Sequence, residues 1–113
     1  MTRDIRKHGR MESLIGRLVA EFLSREALGK SLLTVTRVTL SDDNKYATIF
    51  FSVFPESFEG EALVFIKRRA NDIREYIQSH ARMGHIPFLR FTIDTGEKNR
   101  QKIESLSKGI PKE

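Results

Sequence analysis

The sequence predicts a two-layer α+β domain in which three short strands are covered on one face by helices. Three observations lead there. An apolar stripe at helical period fills residues 11–23, two β-branched runs flank a turn signal, and a second helical stripe leads into a last alternating segment. The length of 113 residues fits one domain. A chain of that size buries roughly two thirds of its unfolded surface, enough for one core without covalent staples.

The elements follow in order. Residues 1–10 have almost no apolar content and read as a flexible basic arm. From Met11 onward Leu14, Leu18 and Phe22 recur every four residues, with Ile15, Val19 and Leu23 beside them, which predicts a helix. Gly29 is placed to end that helix or the turn behind it. Leu32 to Leu40 (LLTVTRVTL) reads as a strand, but Val35 and Val38 stand three apart, so the alternation slips and a bulge is expected between them. Ser41-Asp42-Asp43-Asn44 is a turn by composition. Tyr46 to Phe54 (YATIFFSVF) is a second strand, antiparallel to the first, with Ala47, Ile49, Phe51 and Val53 on one face and Tyr46, Thr48, Phe50, Ser52 and Phe54 on the other. Pro55 ends it, because proline cannot continue the ladder.

Ser57 is placed as a helix N-cap, with Glu59 and Glu61 at the positive end of the dipole. Ala62, Ile66, Ala70, Ile73 and Ile77 then run at helical spacing, and beside them lies a polar, mostly basic stripe of Lys67, Asn71, Arg74, Gln78 and Arg82. Gly84 and Pro87 close the segment. Phe88 to Asp94 alternates Leu89, Phe91 and Ile93 against Phe88, Arg90 and Thr92 and reads as a third strand. Ile103 and Leu106 are docking candidates in a charged tail, of which residues 107–113 are expected to be disordered. The order α-β-β-α(α)-β matches the type II KH arrangement, although order alone also allows other small sandwiches.

The net charge is +5 and its distribution is uneven: residues 1–30 and 61–90 carry +3 each, while residues 31–60 carry −2. A polyanionic partner is the natural reading, and a solvated basic surface the plain alternative. There are no cysteines, which excludes a disulfide framework, a thiolate zinc site and a cysteine nucleophile. No apolar run approaches the roughly 18 residues of a membrane span. The start, MTRDIRKHGR, has no signal-peptide pattern, so a cytoplasmic protein is expected.

Four stretches together resemble the ribosome-binding factor A family: the opening helix RMESLIGRLVAEFLSRE; the hairpin VTRVTLSDDNKYATIFFSVF; ANDIREYI followed by HIPFLRFTID; and the tail RQKIESL. Their order and spacing, over about residues 10–106, are more specific than any one of them. The resemblance implies a single KH-like (type II) RNA-binding domain over residues 11–106. It further implies a factor without catalytic activity that binds the immature small (30S) ribosomal subunit and its 16S rRNA near the decoding region. Such factors assist late 16S rRNA processing, matter most in the cold, and leave when the subunit matures. No cofactor, metal or small-molecule substrate is implied, and a monomer is expected. Two departures stand out. Glu26-Ala27-Leu28-Gly29-Lys30 replaces a family Asp-Pro-Arg. The family's interhelical kink, written Ala-x-Gly, falls at Arg69-Ala70-Asn71, where Asn71 stands in the Gly position and tolerates left-handed backbone better than most residues.

The main RNA candidates are Lys67, Arg68, Arg69, Arg74 and Arg82, joined by Asn71. A helix–kink–helix would present them, with the amides of the second helix's N-terminus, to phosphate oxygens. The alternative is a solvated face with local ion pairs, such as Arg74 to Asp72 or Glu75. Arg3, Arg6, Lys7 and Arg10 of the arm add charge that reads no sequence, and His85 is a minor hydrogen-bond donor. The Gly-x-x-Gly clamp of most KH domains is absent. Tyr46, Phe50 and Phe54 could stack bases, yet the RNP1 pattern is missing, and packing in or beside the core explains them better. His8, His80 and His85 are too scattered for a ligand cluster. Asp94 has no His or Ser partner at a hydrolytic spacing. A general KH-like or ribosomal-protein-like RNA module is the second reading, and a small enzyme the third.

Overall fold

The computed structural model describes residues 2–26 and 31–96, with side chains from Gly9 onward. The elements run α1 (Thr2–Arg25), β1 (Leu32–Leu40), β2 (Tyr46–Phe54), a 3-10 turn (Glu56–Phe58), α2 (Glu59–Arg68), α3 (Ala70–His80) and β3 (Phe88–Ile93). This is the expected three-stranded sheet packed on helices, in the order α-β-β-α-α-β. Gly29, Ile103, Leu106 and residues 107–113 lie outside the described residues.

The central strand is β2, antiparallel to β1 and parallel to β3. A tight turn suffices for the first pairing. The second needs a crossover that returns the chain to the starting end of the sheet, and α2 and α3 supply it. The inward face of β2 is fully enclosed, with Ala47, Ile49 and Phe51 at 0% exposure. Ile15, Leu18, Val19, Phe22 and Leu23 of α1 cover it together with Ala62, Ile66, Ile73 and Ile77 of α2 and α3. Gly16 lets α1 approach β1: a Cβ there would lie 3.3 Å from Val38 Cγ2. Glu12 of α1 accepts the Leu40 N–H of the edge strand at 2.9 Å.

The expected bulge is present. Val35 pairs with Phe51 and Arg37 with Phe50, which leaves Thr36 as the extra residue. Val35 and Val38 thereby both face the core cluster. The Thr36 hydroxyl donates to Asp94 Oδ2 at 2.5 Å, with the Phe50 carbonyl at 3.3 Å. The Asp94 N–H donates to Phe51 O at 2.9 Å. Asp94, at 9% exposure, therefore joins the end of β3 to the middle strand and to the bulge in β1.

The hairpin turn is built on side chains. Asn44 takes the left-handed conformation, φ 61°, which asparagine tolerates. The Asp43 carboxylate accepts the Ser41 hydroxyl at 2.7 Å and the Lys45 N–H at 3.1 Å. These two hydrogen bonds, the Ser41 one foremost, hold its carboxyl below the usual range.

Three boundaries differ from the sequence reading. Helix α1 starts at Thr2 instead of Met11, so the segment read as an arm is helical in backbone. It contains no proline, and extending an established helix costs little. Ser57 is not an N-cap: it sits inside the 3-10 turn, and Phe58 takes the cap position of α2 with no side-chain bond. Phe58 packs against the core there, and its burial outweighs a serine cap. Helix α3 stops at His80, because Ala81 is extended at φ −141°, ψ 146°. Arg82 is therefore in the following loop and does not continue the helical stripe.

Thr36→Val keeps the shape of the bulge but removes the hydroxyl. We expect it to cost about 1–3 kcal/mol, read as a lower urea midpoint with unchanged slope. Because the Asp43 carboxyl is depressed in the folded state, its contribution is complete above the ordinary carboxylate pKa and is lost as pH falls through the lowered value. Amide exchange in the turn should accelerate below that point, and Asp43→Asn should remove the pH dependence.

Candidate nucleic-acid interface

The bend between α2 and α3 is one residue wide. Arg69 lies at φ −96°, ψ 10°, between two regular helices. Its N–H is shared by the Phe65 and Ile66 carbonyls, both at 3.1 Å, and its own carbonyl accepts the Ile73 N–H at 2.9 Å. The ladder of α2 thus ends at Arg69 and that of α3 begins from it. Asn71 is an ordinary helical residue of α3, so no left-handed residue is needed and the missing glycine is harmless. The two helices are interrupted within the Arg69-Ala70-Asn71 stretch, by the single residue Arg69.

The five predicted cations of this region divide into two groups. Arg69 and Arg74 are engaged inside the protein. The Arg69 guanidinium donates to Glu26 Oε1 at 2.5 Å and to Asp72 Oδ2 at 2.8 Å. It also lies 5.1 Å from the Phe22 ring centroid and 5.8 Å from that of Phe65. The Glu26 bond, then the Asp72 bond, raise its pKa further. Arg74 donates to Pro87 O at 2.6 Å and to Ile86 O at 2.7 Å, and lies 5.5 Å from the Phe88 ring centroid. Its partners are backbone carbonyls of the segment entering β3, not the local acids Asp72 or Glu75. Arg69 thus ties the middle of the crossover to the end of the first helix, and Arg74 ties α3 to the segment entering β3.

Lys67 and Arg68 are exposed in the last turn of α2, where positive charge suits the helix dipole. Arg82 is exposed in the loop after α3. None of the three has an ion-pair partner among the described residues. Asn71 and His85 are also exposed. At the N-terminus of α3, Asp72 already occupies the positive end of the dipole, in competition with any phosphate there. Arg10 is exposed on α1; Arg3, Arg6 and Lys7 lie on its first turns, and their side chains fall outside the described residues. A shallow cleft lined by Gly60, Glu61, Val64, Phe65 and Arg68 runs along α2.

A family model described as ribosome-binding factor A matches residues 7–107. The chain belongs to that family. Ribosome-binding factor A of Thermomicrobium roseum is 29% identical over 110 residues, covering 95% of this chain and 85% of the relative. That of Desulfitobacterium hafniense is 31% identical over 100 residues, covering 88% and 78%. The crystal structure of ribosome-binding factor A from Thermus thermophilus superposes with a TM-score of 0.69 at 26% identity, over 76% of this chain and 93% of that one. A homology model of the Thermus thermophilus factor, fitted into a cryo-EM map of its complex with the 30S subunit, gives 0.68 at 26% identity, over the same shares.

The sequence reading weighed base stacking for the outward rings of β2 and ranked packing above it, and it gave Phe88 no role, yet Tyr46, Phe54 and Phe88 are 38%, 73% and 59% exposed. Arg37 and Arg90 stand among them, each 4.1 Å from a ring centroid, of Phe50 and Tyr46 respectively. The alternation of β2 showed that these rings share a face. It did not show that all three helices lie on the other.

The division of the arginines has a direct test. Arg74→Ala should lower stability by roughly 1.5–3 kcal/mol, the worth of charged hydrogen bonds to half-buried carbonyls. Arg69→Ala should lower the melting temperature as well, whereas Arg68→Ala should leave it unchanged, as exposed positions usually do. Thermal unfolding followed by circular dichroism reads all three.

Proposed function

We propose that this chain is an assembly factor of the small ribosomal subunit, binding the immature 30S particle and its 16S rRNA and assisting late 16S processing without catalysing it. Membership of the ribosome-binding factor A family is the observation that carries this reading. The contact residues are Lys67, Arg68 and Arg82, whose charges have no internal partner among the described residues. Asn71 and His85 supply hydrogen bonds beside them. Arg3, Arg6, Lys7 and Arg10 add phosphate attraction from α1, independent of sequence. Arg69 and Arg74 shape this surface instead of touching RNA. The factor acts as a cytoplasmic monomer, with its greatest effect in the cold, where misfolded rRNA is slow to rearrange.

The test is co-sedimentation with small-subunit precursors over a range of salt. Removing one side chain that neutralises a phosphate should flatten the log–log salt slope by about 0.7–0.9. Replacing Lys67, Arg68 and Arg82 together by Ala should therefore flatten it by roughly 2–3 and weaken binding at low salt. An unchanged affinity and slope would discard the site. Sedimentation with finished ribosomes instead of precursors would favour a general ribosomal RNA-binding module.

A further inference from the structure

The sheet face turned away from the helices is a second surface with its own chemistry. Tyr46, Phe50 and Phe54 alternate along β2, and Phe88 stands beside Tyr46 on β3, their ring centroids 5.8 Å apart. Arg37 on β1 and Arg90 on β3 flank this row from either side, both exposed. Each guanidinium lies over a ring at 4.1 Å, so its charge is held close to an aromatic plane. The sequences of β1, β2 and β3 contain no aspartate or glutamate, so every charge on the strands is positive. Thr39 and Thr48, paired across β1 and β2, place hydroxyls between the two arginines.

We propose that this face binds single-stranded RNA, as a site separate from the α2–α3 surface. A base has the flat π face that Tyr46 and Phe88 can stack, and its phosphate has the charge to meet Arg37 and Arg90, which have no acidic partner among the described residues. A duplex hides its bases and offers nothing to exposed rings, so the site selects unpaired strands. A protein strand or helix docking here would bring no phosphate, and its apolar groups would leave both guanidiniums unmatched. In a particle still being assembled, unpaired rRNA segments are the strands available to such a site.

The full chain is titrated with a short fluorescent oligouridylate and, separately, with a duplex of the same length. Tyr46→Ala and Phe88→Ala should each weaken oligouridylate binding about tenfold, and Tyr46→Phe should retain it. Arg37→Gln with Arg90→Gln should weaken it and flatten its salt slope, a readout that survives if an aromatic variant folds poorly. Ultraviolet crosslinks of the oligouridylate should map to Tyr46 or Phe88. The Lys67, Arg68, Arg82 triple variant should weaken binding to small-subunit precursors more than binding to oligouridylate, and should leave the crosslinks at Tyr46 or Phe88 in place, so failure of this site and failure of the α2–α3 site are read separately. Binding unchanged in the aromatic and arginine variants, or crosslinks confined to α2 and α3, would overturn the proposal. So would concentration-dependent self-association abolished by Phe54→Ser, which would make the occupant a second copy of the chain.

Discussion

One extra residue in an edge strand sets much of this architecture. Without the bulge at Thr36, a strand reading LLTVTRVTL could turn either Val35 or Val38 inward, but not both. With it, both face the core cluster, and the hydroxyl of the extra residue meets Asp94 beyond the last strand. Asp94 in turn bonds the backbone of the middle strand. All three strands are thus tied at a single place, midway along β1 and just past the end of β3. A carboxylate at the end of a strand invites a catalytic interpretation. Here its surroundings explain it as a structural acceptor, buried and held by a threonine.

The arginines of the crossover show how a basic stripe can contain two kinds of residue. Arg69 and Arg74 stand in the same run as Lys67 and Arg68, yet they are engaged within the protein, with Glu26 just past α1 and with the carbonyls of Ile86 and Pro87. A planar guanidinium presents its donors in a rigid fork, so it holds two acceptors in one fixed geometry, which the freely rotating ammonium of lysine does not. That explains why the bend tolerates Arg69 where the resemblance leads one to expect alanine. The side chain is used, and the backbone angles at the bend demand no special residue.

Much of the fold was legible from the sequence because it rests on local periodicity. The stripe Leu14, Leu18, Phe22 gave the first helix; the broken alternation between Val35 and Val38 gave the bulge; and the inward face of β2 was right at all four positions. The parts that were not legible depend on contacts distant in sequence. Nothing near Arg74 names the carbonyls 12 and 13 residues away that it binds. Nothing within β2 says that its aromatic face stays open, because that depends on three helices choosing the other side. The start of α1 was missed for a different reason: a polar segment extends a helix well enough once its apolar continuation is anchored.

The arginines lying over Phe50 and Tyr46 also bear on colloidal behaviour. A small sheet with one bare, aromatic-rich face is the geometry from which strand-to-strand aggregation starts. Charged guanidiniums clasped to the rings shield them without hiding the charge, so two such faces repel before their rings can meet. The bulge adds to this, since it twists the edge strand away from the flat register that another chain would need. The same side chains that make the face attractive to a polyanion keep the protein from itself.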